Sequence, residues 1–112
     1  MAEITRKRQG ELLKALFKLL LENPEGMQAR DVIEKLSNTI ELTNFEKSSY
    51  PNKPHIRRFG KIIRFSTINT VKAGWLLKSK GEWTITMEGK KAYEKIANPE
   101  EFMQEAARLY RK

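Results

Sequence analysis

Cysteine is absent from the chain, so neither a disulfide nor a thiolate metal site exists, and a reducing, cytoplasmic compartment is the expected home. Histidine occurs once, at His55, and aspartate once, at Asp31. A lone histidine in a proline-rich stretch has no partner for acid–base chemistry or metal binding. Asp31 falls at the start of a helical pattern, where its charge complements the helix dipole. No glycine-rich loop follows a strand pattern, which leaves nucleotide hydrolysis without a phosphate cradle. No catalytic residue, metal or cofactor is therefore expected. Long apolar runs are also missing, so no membrane-spanning segment is expected. The one leucine-rich stretch, at the N-terminus, is interrupted by Glu11, Lys14 and Lys18 at helical spacing, and no small-residue cleavage site follows. It reads as an amphipathic helix of the mature protein.

A length of 112 residues is enough for one domain with a core that needs no staples. The formal net charge is +8, and it is unevenly spread. Residues 1–52 carry 8 basic and 8 acidic side chains, and residues 96–112 carry 3 and 3. Residues 53–95 carry 11 basic and 3 acidic ones, so 11 − 3 accounts for the whole excess. A single-signed central segment is what a surface facing a polyanion requires.

Apolar periodicity predicts a first helix over about 4–22, with Leu12, Leu13, Leu16, Phe17, Leu20 and Leu21 on one stripe. Asn23-Pro24-Glu25-Gly26 stops it. A second helix is expected at about 28–37, with Ala29, Val32, Ile33 and Leu36 inward. Thr43 and Glu46 have the spacing of a capping box and predict a helical turn at 43–47. The two prolines of residues 48–54 predict a loop. A third helix is read from His55 to Ala73, closed by Gly74. Arg57, Arg58, Lys61, Arg64 and Lys72 share one arc of it with Phe65 and Ile68. The first helix is expected to cover that apolar pair. Two strands, at 75–78 and 83–86, flank a turn at 79–82, and their tryptophans, Trp75 and Trp83, are expected in the core. A fourth helix starts after Thr86. Asn98-Pro99-Glu100-Glu101 opens a last one, with Asn as N-cap and Pro at the first helical position.

This order defines a mainly α fold with a small β-hairpin: a winged helix-turn-helix over 1–97, with an extra C-terminal helix over 98–112. In that fold the third helix enters the major groove and the hairpin flanks the backbone. The expected DNA contacts are Arg57, Arg58, Lys61, Arg64, Thr67 and Lys72 on the helix, and Lys78 and Lys80 on the hairpin.

The stretches RFSTINTVKAGWL, residues 64–76, and KGEWTITMEGKKA, residues 80–92, resemble the N-terminal domain of Mrr-type restriction endonucleases. Phe65-Ser66 matches an aromatic–small pair, and Lys72-Ala73-Gly74-Trp75 matches a lysine-alanine-glycine-hydrophobic turn. Gly81, Trp83, Ile85-Thr86 and Gly89 match the remainder. Thr70 stands where leucine is usual, and Phe65 where tryptophan is common. The resemblance covers roughly residues 8–95. It implies a module that targets double-stranded DNA, often DNA with modified bases, for a separate C-terminal nuclease domain. For the metal that such a nuclease gathers with an aspartate and a Glu-x-Lys element, the one aspartate, Asp31, has no second acid at a spacing that would converge on it, so the resemblance implies either a fragment of a longer protein or a stand-alone relative. Two other readings stay open: a winged-helix regulator that forms a homodimer through its last helix, and a protein–protein adaptor of the same fold. The apolar stripe of the last helix suits packing on the domain, pairing with a second copy, or leading into a further domain.

Overall fold

The structure, a computed structural model, describes residues 5–50 and 53–110, with backbone alone for 49–50, 53–57 and 110. The elements run α1 (Arg6–Leu21), β1 (Met27–Gln28), α2 (Ala29–Thr39), α3 (Asn44–Lys47), β2 (Ser49–Tyr50), β3 (Lys53–Arg57), α4 (Arg58–Lys72), β4 (Leu76–Ser79), β5 (Glu82–Ile85), α5 (Met87–Lys95) and α6 (Pro99–Tyr110). Strands β1, β5 and β4 form an antiparallel sheet in that order, and β2 pairs with β3. This is a mainly α, winged-helix-like fold.

Helix α1 is the axis of the core. Leu12, Leu13, Leu16, Phe17 and Leu20 are all fully buried, on a stripe too wide for one neighbour to cover. Helix α4 brings Phe59 and Ile63 to it, α2 brings Val32 and Leu36, the sheet brings Leu76 and Trp83, and α6 brings Phe102, Met103 and Ala106. The Phe102 ring meets Phe17 edge-on at 5.2 Å and lies 5.0 Å from Trp75. Such ring contacts add directional preference to apolar burial. Helix α6 therefore packs on the domain itself, which answers a question the periodicity left open. Its start presses on α1 so closely that a Cβ on Gly10 would overlap the Pro99 carbonyl oxygen.

Local chemistry fixes most helix ends. The Thr43 hydroxyl accepts from the Glu46 amide at 3.1 Å, and the Glu46 carboxylate accepts from the Thr43 amide at 3.0 Å, completing the expected capping box. Asn98 caps α6 through the Glu101 amide at 3.0 Å, and Gly74 follows α4 with φ 84. The third helix of the sequence reading departs from expectation: α4 begins at Arg58, not His55. Pro54 restrains Lys53 to extended geometry, and pairing with Ser49–Tyr50 carries the chain to Arg57 as strand β3. The Arg58 amide then donates to the Ser48 carbonyl at 2.9 Å, closing the corner between strand and helix. The expected loop at 48–54 is thus half of a hairpin. Residues 27–28 add an unforeseen strand to the wing, where the Ala29 amide donates to the Gly81 carbonyl at 2.8 Å.

Two charged side chains tie the layers together. Arg8 on α1 forks onto Glu46, with Nε–Oε2 at 2.8 Å and Nη2–Oε1 at 2.9 Å, and Nη2 also donates to the Glu41 carbonyl. Glu46 is 1% exposed, so its charge is tolerable only because it is paired. Lys14 donates to the Tyr93 and Ile96 carbonyls at 2.8 and 2.6 Å and lies over the Tyr93 ring. It thereby supplies partners for carbonyls that the end of α5 leaves free.

The hydrogen bond from Arg8 holds the Glu46 carboxyl below its ordinary pKa of 4.5. Between the lowered folded value and 4.5 the unfolded chain binds more protons, so this stabilisation is complete above pH 4.5 and lost as pH falls. Chemical denaturation of wild type and Glu46→Gln across pH 7 to 3 tests this: the wild type loses stability more steeply. Glu46→Ala, which leaves Arg8 only Glu11 and the Glu41 carbonyl and removes the carboxylate half of the capping box, costs about 3 kcal/mol at pH 7. A cost below about 1 kcal/mol would show that the ion pair does not hold α3 to α1.

Candidate nucleic-acid interface

Helix α4 is two-faced. Phe59, Ile63, Ser66, Thr67 and Thr70 are buried against the core. Lys61, Arg64, Phe65, Ile68 and Lys72 are exposed, and their spacing of three and four puts them on one stripe. The expectation that α1 covers Phe65 and Ile68 is corrected: they are 68% and 43% exposed. Helix α1 meets α4 on its inward face, and one helix cannot cover both sides of another.

The expected site residues fall in five places. Lys61, Arg64 and Lys72 stand together on the outward face of α4. Lys80 stands at the tip of the β4–β5 hairpin, where Ser79 pairs with Glu82 and leaves the two-residue loop Lys80-Gly81. Both loop residues have positive φ, 53 at Lys80 and 81 at Gly81, as a tight primed turn requires.

Arg58 is engaged at the root of the helix. Its Nε donates to the Ser48 hydroxyl at 2.9 Å, and its guanidinium lies 4.7 Å from the Phe45 ring centre. Arg57 belongs to β3 rather than to the helix, and its side chain lies outside the described residues, as does that of His55.

Thr67 and Lys78 pair with each other, which their sequence positions did not suggest. Thr67 is fully buried, which corrects its expected role as a DNA contact. Its hydroxyl donates to the Arg64 carbonyl at 2.7 Å and accepts from the Lys78 ammonium at 2.6 Å. The ammonium also sits 4.6 Å from the centre of the Trp83 ring. Burial, together with the charge of Arg64, pushes the Lys78 pKa below its ordinary value. Lys78 is thus a strut between α4 and the wing, and its ammonium is turned inward.

The charge partition read from sequence splits further in space. Lys91 and Lys95 line a groove between α5 and α6, facing Glu101 and Glu105. The outward face of α4 carries no such counterweight, whereas the exposed Glu82 stands beside the hairpin tip. No acidic residue occurs between Glu46 and Glu82, and the Glu46 carboxylate is already neutralised by Arg8. Among the described residues, no group of three or more His, Cys, Asp or Glu is placed to hold a metal ion, and no helix is long and apolar enough to cross a membrane.

A buried helix face, a solvent-facing basic one and a hairpin strutted to it define a winged-helix-like domain. The chain belongs to the Mrr N-terminal domain family, which matches residues 10–95. No curated protein and no solved structure gives a match. The matched stretch runs from the first turns of α1 to the last residue of α5.

The motif residues have visible structural work. The Thr86 hydroxyl donates to the Gly74 carbonyl at 2.6 Å and accepts from the Gly89 amide at 3.0 Å. A Cβ at Gly89 would overlap the Trp75 carbonyl oxygen. The pattern therefore encodes the joint where α4, wing and α5 meet.

Lys78→Met tests the strut. Methionine keeps the apolar stem against Trp83, and Thr67 keeps its bond to the Arg64 carbonyl. The folded state holds Lys78 below its ordinary pKa, so the charged form weakens folding at neutral pH and its removal offsets the lost hydrogen bond. Denaturant titration is expected to show a change within about 1 kcal/mol. A loss beyond about 2 kcal/mol would mean that the ammonium, rather than the stem, holds the wing.

Proposed function

We propose that this chain binds double-stranded DNA as the target-recognition module of an Mrr-type restriction system. Helix α4 lies in the major groove and the hairpin tip meets the flanking backbone, as winged helices dock. The observation that carries the reading is the outward face of α4, where Lys61, Arg64 and Lys72 stand free of acidic neighbours in a stretch without acid from 47 to 81. A helix made only for solubility pairs its charges at three- and four-residue spacing. A polyanion makes the unpaired arrangement favourable.

The hairpin tip supports the same reading. Lysine in a left-handed conformation costs about 1 kcal/mol or more, whereas asparagine and glycine suit it. A point charge on a flexible stem at the end of a wing is suited to a phosphate. Arg64 presents a planar fork, the geometry that matches the guanine O6 and N7 acceptors.

Fluorescence anisotropy with a labelled duplex over a range of salt tests the proposal. With about five phosphates neutralised, log K falls against log salt with a slope of about −4 to −5. Lys80→Asn reduces the slope by about 1 for every sequence, while raising fold stability by up to about 1 kcal/mol. Arg64→Ala costs about 1–3 kcal/mol on a preferred duplex and narrows its margin over scrambled DNA. Absence of binding at low salt, or binding indifferent to salt, contradicts the proposal.

A further inference from the structure

We propose that the outward stripe of α4 docks head to tail in the groove between α5 and α6 of a second copy of this chain, so that the free protein masks the face it offers to DNA. The contact between copies stands on its own observations. The masking rests on the DNA-binding reading above.

One side of the contact is the stripe. Phe65 and Ile68 are 68% and 43% exposed and share a helix face at three-residue spacing. Lys61 and Arg64 precede them and Lys72 follows, so the apolar pair holds the middle and the cations the ends. Apolar side chains in water gain from cover, and no element of the same chain supplies it to this face of α4.

The other side is the groove. Trp75, Ala92, Ile96 and Leu109 give it an apolar floor, and it encloses about 640 Å³. Sites of that size take a drug-sized ligand, which leaves room for a phenylalanine beside an isoleucine. Its acids match the ends of the stripe. Glu88 stands in the first turn of α5, and Glu101 in the first turn of α6, just past the short connection after Ile96. Acids therefore border the groove at both ends of α5, as cations border the apolar pair on both sides. Lys91, Lys95 and Arg108 also line the groove, and Arg108 is held by Glu105 at 2.6 Å. Acids and bases are balanced there, so a polyanion is not drawn in and a cationic stripe is not repelled.

The groove is lined by no residue of α4, so the stripe fills the groove of another copy and not its own. A stripe on one copy meeting a different surface on the next is a heterologous contact. It repeats into short chains of copies rather than closing as a two-fold dimer. When the chain is dilute it is monomeric, and DNA then meets α4 without disturbing the groove.

Sedimentation velocity over a range of concentrations tests the contact. The wild type is expected to gain average mass as concentration rises. Phe65→Asp blocks the stripe, and Glu101→Lys with Gln104→Lys blocks the groove. All three positions are solvent-facing, and thermal melts confirm that the variants fold. Each variant alone associates about ten- to hundred-fold more weakly than the wild type. Mixed in equal amounts they form a one-to-one pair, because one brings an intact groove and the other an intact stripe. A duplex added at low salt returns the wild type to single copies on DNA.

A wild type that stays monomeric at every concentration overturns the proposal. So does a mixture that fails to pair while the wild type associates. Association lost in Phe65→Asp but kept in the groove variant assigns the stripe to a contact with its own like and also overturns it. Self-association that persists unchanged on bound DNA overturns the masking. Pairing of the two variants without binding to any duplex keeps the contact and overturns the DNA reading instead.

Discussion

Burial of α1 on a stripe wider than any one neighbour is the constraint from which the other placements follow. Leu12, Leu13, Leu16, Phe17 and Leu20 need cover from several directions. Helices α4 and α6, the wing and α2 each supply part of it. Once Phe59 and Ile63 are committed to that axis, the helical period sends Lys61, Arg64, Phe65, Ile68 and Lys72 outward. The exposed basic and apolar stripe is thus a geometric consequence of core packing. Its chemistry is what the sequence adds.

The polar contacts follow a division of labour. Arg8 neutralises Glu46, Lys14 satisfies carbonyls at the end of α5, and Lys78 leans on Thr67 and Trp83. Three basic side chains are thereby used as ties inside the fold. Burial lowers the pKa of Lys14 and of Lys78, the desolvation cost of turning both ammoniums toward the fold. The cations that remain solvent-facing on α4 and at the hairpin tip are fewer than the net charge suggests, but α4 itself carries no carboxylate to oppose them. Single sign along α4, rather than the total charge, is what the proposed polyanion partner would favour.

Features encoded within a few residues were legible in the sequence. The capping box of Thr43 and Glu46, the Asn98 cap with Pro99 after it, Gly74 after α4 and the leucine stripe of α1 each need only their near neighbours. The start of α4 was not legible, because residues 53–57 are held as strand by pairing with Ser49–Tyr50, a tertiary contact that overrides local preference. The Thr67–Lys78 pair joins a helix to a strand across 11 positions, and no spacing rule announces it. For Phe65 and Ile68 the arc was read correctly and the environment was not. Apolar character argued for cover, yet the helix that would have provided it was fully engaged elsewhere. Helix α6 showed its apolar stripe, and only the closeness of Pro99 to Gly10 and the meeting of Phe102 with Phe17 and Trp75 revealed what the stripe covers.

The central claim is that α4 and the hairpin tip are the surface that meets DNA. Backbone amide spectra of the 15N-labelled chain, recorded as an unlabelled duplex is added at low salt, test it most directly. The account predicts that the amides shifting most belong to residues 61–72 and to Lys80-Gly81, while those of α6 hold their positions. Shifts concentrated along the groove between α5 and α6, with residues 61–72 unmoved, would contradict it.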